Sequence, residues 1–559
     1  MNTTTDKKQV RILFEILSRK GIKDFVISPG SRNTPLIIGA ARNENFRKHV
    51  VLDERCAAFT GLGIAQQSGK PVALICTSGT AVLNYAPAVA EACYQQQPLI
   101  ILTADRPPEA IDQDDTQTLR QHDIYRNYIK YTVTLPVEIN KPEDEYYVVR
   151  EVNQAVNAAM RPPYGPVHIN IPLREPLSGT AAATESPRII ESVQPQKTLA
   201  EKTLAELSRT ISESPKIMLL ASFGQYDKEL SDALARLARY PQVVLMTESI
   251  SNIHAAGAIK TIDKVLTAIP NGEEPTYAPD ILITFGGSLV SKMIKRFIRT
   301  YPPREHWNIN QSAALIDTFQ ALTRQIDTSS PYFLKQIAER AVANSSSNYS
   351  ALWHELQEKA EKEKNTYVEA VPWSDLKAFS ILMPAIPAGT ALQLSNGTPV
   401  RYAQLFRCDQ YATVNSNRGV SGIDGAVSTA AGAAIATPGR TTLLITGDMG
   451  FLYDSNGLTI ADIPPTLKII VMKNGGGNIF RFLPGTSVLP ELEHYFETVQ
   501  DVKVKELAQI NGFEYFEADN EGSLQKAIPR FFESPTKALL EIRTPRVEND
   551  KILRNYFKQ

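Results

Sequence analysis

No apolar stretch in this 559-residue chain reaches the length of about 20 residues that a bilayer span requires. The opening MNTTTDKKQV also lacks the apolar core of a secretory signal, so the expected location is the cytoplasm. Only four cysteines occur (Cys56, Cys76, Cys93, Cys408), with no CxxC spacing. That excludes a disulfide framework or a zinc ribbon and leaves free thiols as the expectation. Charge of one sign is missing too: Lys+Arg 59 offsets Asp+Glu 60, and no basic stripe exists to hold a phosphate backbone, so nucleic acid is not an expected partner. There is no GxxxxGK[ST] motif, and GLG at 61–63 lacks the third glycine of a dinucleotide fingerprint.

What the chain does have is a repeated alternation of short β-branched runs with helical stretches. The first block carries DFVIS (24–28), HVVLD (49–53), PVALICT (71–77) and PLIILTA (98–104), with Ala-rich helices near 55–67 and 81–96. RPPYGPVHINIPLREP (161–176) closes it with an edge-like strand. A second block has KIMLLAS, QVVLMTE, DILITFG and HWNIN between 216 and 310. A third has TALQLSN, ATVNSN, TTLLITG, LKIIVMKN and KALLEIRT between 390 and 544. Continuous apolar strands separated by helices predict an α/β fold of doubly wound parallel sheets. The expected domains are 1–178, 197–345 and 366–559. TAAATESPRIIESVQPQ (180–196) is expected as a linker, and LWHELQEKAEKEKN (352–365) as a solvated helix. No sequence repeat relates the three blocks.

In TTLLITGDMGFLYDSN (441–456) a carboxylate, Asp448, stands at the carboxyl end of an apolar strand, where ligands of open α/β sheets bind. FLYDSNGLTIADI after it is expected to be helical, with Asp454–Ser455 as its N-cap. Asn474 ends the next predicted strand 26 residues later, a spacing that suits one strand–helix–strand unit of about 30 residues. With GGGNIF behind it, the pair offers a carboxylate, an amide oxygen and a free carbonyl, a donor set for Mg²⁺ shared with phosphates. The competing account is a helix cap followed by a turn. Glu54, in VVLDERCAAFTGLGIAQ, follows a strand expected to be buried and opens a helix; by itself it reads as a first-turn carboxylate.

ERCAAFTGLGIAQ, CTSGTAVLN (76–84) and GDM…N together resemble the thiamine-diphosphate enzymes built from pyrimidine-binding, central and diphosphate-binding domains. SPGSRNTPL (28–36), LTADRPPE (102–109), SNRGVSGIDG (416–425) and NGGGNIF (474–480) resemble one branch of them, which acts in menaquinone biosynthesis. The resemblance covers nearly the whole chain. It implies decarboxylation of 2-oxoglutarate and conjugate addition of the succinyl unit to isochorismate, with thiamine diphosphate and Mg²⁺ or Mn²⁺ as cofactors. It further implies a cofactor shared between the domains of two subunits, hence a homodimer or a dimer of dimers.

Carried residue by residue, the resemblance makes Glu54 the catalytic partner of the aminopyrimidine nitrogen N1′. Asp448, Asn474 and the Gly476 carbonyl become metal ligands, and Ile423 the wedge that bends the cofactor. Ser78, Gly79, Ser421, Gly447, Met449, Asn478 and Ile479 complete the cofactor site. Ser31, Arg32, Arg106, Gln117, Lys292, Arg401, Arg418 and Phe480 become substrate contacts. Two dicarboxylate substrates need several fixed cations, and arginine forks suit carboxylates; all four arginines follow predicted strand ends. Two positions depart from the pattern: Met449 stands where glycine is usual, and Gly397 in NGTPVR where serine is frequent, with Thr398 as the substitute hydroxyl. None of the seven histidines lies on these motifs except His122 in LRQHD, which suits carboligation more than protonation. Outside this branch, the rival expectations are another thiamine-diphosphate ligase or decarboxylase, a cofactor-binding scaffold, and a nucleotide-binding α/β protein.

Overall fold

The computed structural model describes residues 3–312, 314–483 and 485–558. Three six-stranded, all-parallel sheets follow one another along the chain. In the first, the spatial order is Arg47–Val50, Asp24–Ile27, Val72–Cys76, Leu99–Asp105, Val167–Pro172, Thr132–Thr134. The third runs Thr413–Ser416, Ala391–Leu394, Thr442–Gly447, Leu467–Lys473, Ala538–Arg543, Glu514–Ala518. Numbered in chain order within each sheet, both read 2-1-3-4-6-5, so the same connectivity is used twice. The central sheet reads 3-2-1-4-5-6, from Ala258–Ile259 through Val243–Thr247, Ile217–Ala221, Ile281–Phe285 and Glu305–Ile309 to Leu322–Ile326. Central strands are buried on both faces, which is why they read as unbroken apolar runs.

In a doubly wound sheet, the crevice lies where successive connections turn to opposite sides. In the first sheet this falls between Asp24–Ile27 and Val72–Cys76, and in the third between Ala391–Leu394 and Thr442–Gly447. The motif loops 28–33, 77–79, 395–398 and 447–448 leave those four strand ends.

Several expectations are corrected. Val167–Pro172 is an inner strand; the short Thr132–Thr134 segment pairs outside it and takes the edge. The strand before Glu54 spans Arg47–Val50 at an edge and is largely solvated, not buried. The 180–196 tract is no free linker. Thr180–Ala182 pairs antiparallel with Thr3–Thr5, and Arg11 and Asn153 hold Glu185 and Ile190 against the first domain. The Tyr349–Ala370 helix is solvated on one face only. Trp353, Leu356 and Ala360 enter the central core, and buried Lys364 donates to the Tyr556 carbonyl at 2.6 Å.

The first and third domains share one apolar cluster, centred where the Glu54–Ser68 helix crosses the Ala426–Ala436 helix. Among the described residues, no helix is long and apolar enough to cross a membrane. Cys56, Cys76 and Cys408 are buried and Cys93 partly so, all as free thiols.

Candidate active site

Asp448 begins the short helix Asp448–Tyr453 directly after the Thr442–Gly447 strand. The neighbouring strand runs parallel with Gly447 opposite Met472, so Asn474 emerges beside Asp448. Asp448 Oδ1 accepts the Met449 N–H at 2.8 Å, and Oδ2 accepts Gly475 N–H at 2.8 Å and Gly476 N–H at 3.1 Å. Burial nevertheless pushes its pKa up to about 6, and nearby Asp375 adds to the rise. Asn474 donates its amide N–H to Asp375 Oδ2 at 2.9 Å, and no described hydrogen bond reaches its Oδ1. Burial raises the Asp375 carboxyl to about 6 as well.

Two buried carboxyls with an amide between them, and no cation among them, lack a counter-charge. A hard divalent cation would fit the Asp448, Asn474 and Gly476 oxygens. Only one of those three donors is a carboxylate, and no cluster of three His, Cys, Asp or Glu side chains able to hold a metal occurs among the described residues. Gly476 sits at φ +146°, and a Cβ there would lie 2.6 Å from the Glu497 carbonyl, so the turn admits only glycine. Buried Glu497, held by Arg546 at 3.1 Å, backs this turn from the far side.

The SNRGVSGIDG loop packs beside the helix that Asp448 begins. Asn396 donates to the Asn417 carbonyl at 2.6 Å and the Gly422 carbonyl at 2.7 Å, and its Oδ1 accepts Arg418 Nη1 at 3.0 Å. Buried Glu91, from the first domain, accepts Gly419 N–H at 2.6 Å and Val420 N–H at 2.8 Å. Held this way, Ile423 stays 36% exposed, and its Cβ lies 3.8 Å from where a Cβ on Gly450 would stand. Ser421 is exposed at φ +66°. Gly397 takes φ +95°, a left-handed turn that accounts for glycine in NGTPVR. Ile479 and Phe480 open a one-turn helix, Phe480 packing 5.6 Å from Phe496. Asn478 donates to the Arg546 carbonyl at 2.6 Å, leaving its own Oδ1 buried and unpaired.

The Arg401 side chain, partly buried, makes no described hydrogen bond or ion pair, and its Nε is buried without a partner, although Asp263 and Glu248 stand near enough to attract its charge. Lys292, in contrast, is exposed and touches no charged partner.

On the first domain, Arg32 is 5% exposed. It donates to the Leu173 carbonyl at 3.1 Å and lies close enough to Arg106 for the two charges to repel. Ser31 beside it is exposed. Ser78 is buried with an unpaired Oγ, and Gly79 turns at φ +84°. Gln117 is exposed; its backbone lies against Gly79, but Gln121 is the side chain that binds there.

Glu54 is the first residue of its helix, which Asp53 caps through Cys56 N–H at 3.1 Å. Its carboxyl contacts no other residue by a described hydrogen bond. Burial raises its pKa, and neighbouring Asp53 adds to the rise. The flanking residues reach the third domain of the same chain. Asp53 accepts Asn456 Nδ2 at 2.9 Å, while Arg55 donates to the Asp424 carbonyl and to the Tyr453 carbonyl at 3.2 Å.

Asp454 stands at the N-cap position of the 3₁₀ turn Ser455–Thr459, but its side chain makes no cap bond there. It accepts Ser428 N–H at 2.7 Å and Ser428 Oγ–H at 2.8 Å, capping the Ala426–Ala436 helix from across the fold. Sequence reasoning missed Glu91, Asp375, Asn396 and Gln121. Each is a lone polar residue whose partner in the site (Gly419, Asn474, Gly422 and Gly79, respectively) lies more than 20 positions away.

The site as built belongs to an enzyme class in which two like-folded domains hold a diphosphate cofactor. The family described as thiamine pyrophosphate enzyme matches with its N-terminal TPP-binding domain over residues 7–124, its middle domain over 220–389 and its C-terminal TPP-binding domain over 396–542. The chain belongs to this family. It is 44% identical to the 2-succinyl-5-enolpyruvyl-6-hydroxy-3-cyclohexene-1-carboxylate synthase of Porphyromonas gingivalis, over 99% of this chain and 97% of that protein. It is 42% identical to the synthase of the same name from Flavobacterium psychrophilum, over 98% of both chains. With that of Bacteroides thetaiotaomicron it shares 34% over 99% of both.

Proposed function

We propose that this chain is a thiamine-diphosphate-dependent carboligase. It decarboxylates 2-oxoglutarate, adds the succinyl unit to isochorismate, and releases 2-succinyl-5-enolpyruvyl-6-hydroxy-3-cyclohexene-1-carboxylate and CO₂ for menaquinone biosynthesis. The observations that carry the reading are the Asp448–Asn474–Gly476 oxygen cluster and, on the short helix after the adjacent strand Ala391–Leu394, the Arg401 guanidinium with its buried, unpartnered Nε. One suits a metal-held diphosphate, the other a carboxylate.

Asp448, the Asn474 amide oxygen and the Gly476 carbonyl would hold Mg²⁺ or Mn²⁺ on the diphosphate. Ile423 would wedge between the cofactor's rings, with Ser421, Gly447, Met449, Asn478 and Ile479 around it and Ser78 and Gly79 on the pyrimidine side. When bound, thiamine diphosphate supplies the nucleophilic carbon and the electron sink for decarboxylation. Glu54 holds a proton for the pyrimidine nitrogen N1′; burial keeps that carboxyl neutral to a higher pH than a free glutamate.

Arg32, Arg106, Arg401 and Arg418 orient the substrate carboxylates, with Ser31, Gln117, Lys292 and Phe480 at their edge. No histidine stands among these residues to return a proton. His168 is buried and held neutral by desolvation, near pKa 3, and His122 is exposed, its Nδ1 3.1 Å from Thr134 Oγ1. That favours carbon–carbon bond formation over simple decarboxylation. The resemblance also supports a cytoplasmic homodimer or dimer of dimers, which sedimentation would read directly.

The deciding experiment follows ¹³CO₂ release from 1-¹³C-2-oxoglutarate with thiamine diphosphate and Mg²⁺, with and without isochorismate, and again after EDTA. The proposal expects release coupled one-to-one to a succinyl adduct, dependent on isochorismate and lost with the metal. Release indifferent to isochorismate would make the chain a decarboxylase or a different ligase.

A further inference from the structure

Asp375 is buried and forms no ion pair with any described residue, yet it is held on every side. Its backbone N–H donates to Asn549 Oδ1 at 2.8 Å. Its Oδ1 accepts the Thr544 hydroxyl at 2.5 Å, and its Oδ2 accepts Asn474 Nδ2 at 2.9 Å. Local sequence builds this arrangement. Ser374 caps the Asp375–Ala385 helix by accepting Lys377 N–H at 3.3 Å, which makes Asp375 the first helical residue. Lys473 lies opposite Arg543 in a parallel strand pair, and Thr544 N–H donates to the Lys473 carbonyl at 3.1 Å. Asn474 and Thr544 therefore leave neighbouring strand ends together, and Asp375 spans the two. Asn549, fully buried at the start of the last helix, is itself fixed by donating to the Pro545 carbonyl at 2.7 Å.

The Asn474 amide has two unlike ends, and a carboxylate can only accept. Turning the amide over would bring its oxygen against Asp375 Oδ2, acceptor facing acceptor, at a side chain only 5% exposed. Asp375 thus decides which end of the amide is left over. It takes Nδ2, and Oδ1 keeps no described hydrogen-bond partner. That oxygen is the end a hard divalent cation needs. Asp448 is oriented separately, by the Met449, Gly475 and Gly476 N–H groups, so Asp375 hydrogen-bonds to the donor cluster through Asn474 alone.

We propose that Asp375 is a positioning residue for the metal. By accepting from Nδ2 it turns Asn474 Oδ1 out as a ligand, and Thr544 and the Asn549 end of the last helix keep it in place. This rests on the reading above that Asn474 is a metal ligand.

The test reads Mn²⁺ affinity from the electron paramagnetic resonance signal of free Mn²⁺, with thiamine diphosphate at one fixed excess, beside the Tm of the unloaded protein. The variants are Asp375→Ala, Asp375→Val, Asp375→Asn, Asn474→Ala and the double variant Asp375→Ala with Asn474→Ala. All three replacements of Asp375 remove its charge, and only asparagine keeps an acceptor for Asn474 Nδ2. Asp375→Ala and Asp375→Val are expected to weaken Mn²⁺ binding about tenfold or more, as when the outer partner of a metal ligand is lost. Asp375→Asn should stay within about threefold of wild type. The double variant should bind Mn²⁺ within about twofold of Asn474→Ala, because Asp375 acts through the amide. Wild-type affinity in folded Asp375→Ala or Asp375→Val overturns the inference. Asp375→Asn as weak as those two overturns it as well, since Asp375 would then act by its charge or as a ligand. Additive losses in the double variant do the same. A wild type that binds no Mn²⁺ alongside thiamine diphosphate overturns the metal reading itself, and this inference with it.

Discussion

Gly63 and Gly432 face each other across the crossing of the Glu54–Ser68 and Ala426–Ala436 helices. A Cβ on Gly63 would run into the Thr429 carbonyl, and one on Gly432 into the Thr60 carbonyl. The backbones touch with no side chain between them. One helix begins at Glu54 and the other just past Ile423, so this crossing sets the placement of both.

Alanine at either glycine must push the helices apart. Overpacking of this kind costs about 2–4 kcal/mol where backbone is the obstacle. Gly63→Ala and Gly432→Ala are each expected to lower Tm by about 5 °C or more and to reduce turnover. Gly439→Ala, where nothing stands within 4 Å of the new methyl, should leave Tm unchanged. Equal melting of all three variants would mean the domains do not pack this way.

Glu54→Gln tests the carboxyl without changing its volume. Glu54 makes no described contact that folding depends on, so Tm should stay within about 1 °C of wild type, since changes away from such features are near-neutral. Thiamine diphosphate should still raise Tm, while turnover should fall about 100-fold or more through loss of the proton-sharing group. Near-normal turnover in Glu54→Gln would remove Glu54 from the reaction.

Much of the architecture was readable because its strands are continuous apolar runs and its ligand loops follow strand ends. Asp448 and Asn474 were placed together on spacing alone, and their strands do pair in parallel. The parts that escaped are those whose reason lies in tertiary contact. Thr132–Thr134 is three residues long and exists by pairing with Val167–Pro172. The 180–196 tract has linker composition, yet it is strapped down by Arg11, Lys20 and Asn153. Glu91 lies in an Ala-rich helix and carries no local sign that it clamps a loop more than 300 residues away.

Asp454 gives the chain a pH-dependent weakness. Desolvation outweighs its hydrogen bonds to Ser428 and the attraction of Arg55, and its pKa rises from the usual 3.8 to about 7. A carboxyl with a raised folded pKa binds its proton more tightly in the folded state. Its stabilising contribution is therefore complete below about pH 4 and is lost as pH climbs towards 7. Glu248, raised to about 7 by burial, acts in the same direction, so the wild-type slope is shared. Asp454→Asn cannot ionise, so its Tm should fall less between pH 4 and 7.5 than that of wild type. Parallel Tm curves would show that Asp454 is ionised at no cost in the folded chain.

Gln121 ties the loop holding Gly79 to the strand end holding Arg106. Its Oε1 accepts Gly79 N–H at 3.0 Å, and its Nε2 donates to the Ala104 carbonyl at 3.0 Å and to Asn170 Oδ1 at 2.9 Å. Asn170 donates in turn to Asp105 Oδ2 at 2.7 Å, and Asp105 Oδ1 accepts the Arg106 N–H at 2.8 Å. The Gln121, Asn170 and Asp105 side chains in this chain are all buried. Gln121→Leu strands the Gly79 N–H and weakens the hold on Asn170, at about 1–3 kcal/mol per unsatisfied group. Since Gly79 belongs to the proposed cofactor side and Arg106 to the substrate side, kcat/KM should fall about tenfold or more, with the apparent affinity for thiamine diphosphate reduced as well. Gln121→Glu keeps an acceptor for Gly79 but loses the donor to Asn170. It should retain cofactor affinity while KM for a dicarboxylate substrate rises. If Gln121→Leu alters Tm alone, with cofactor affinity and both KM values intact, the chain of hydrogen bonds serves folding and does not align the two sides of the site.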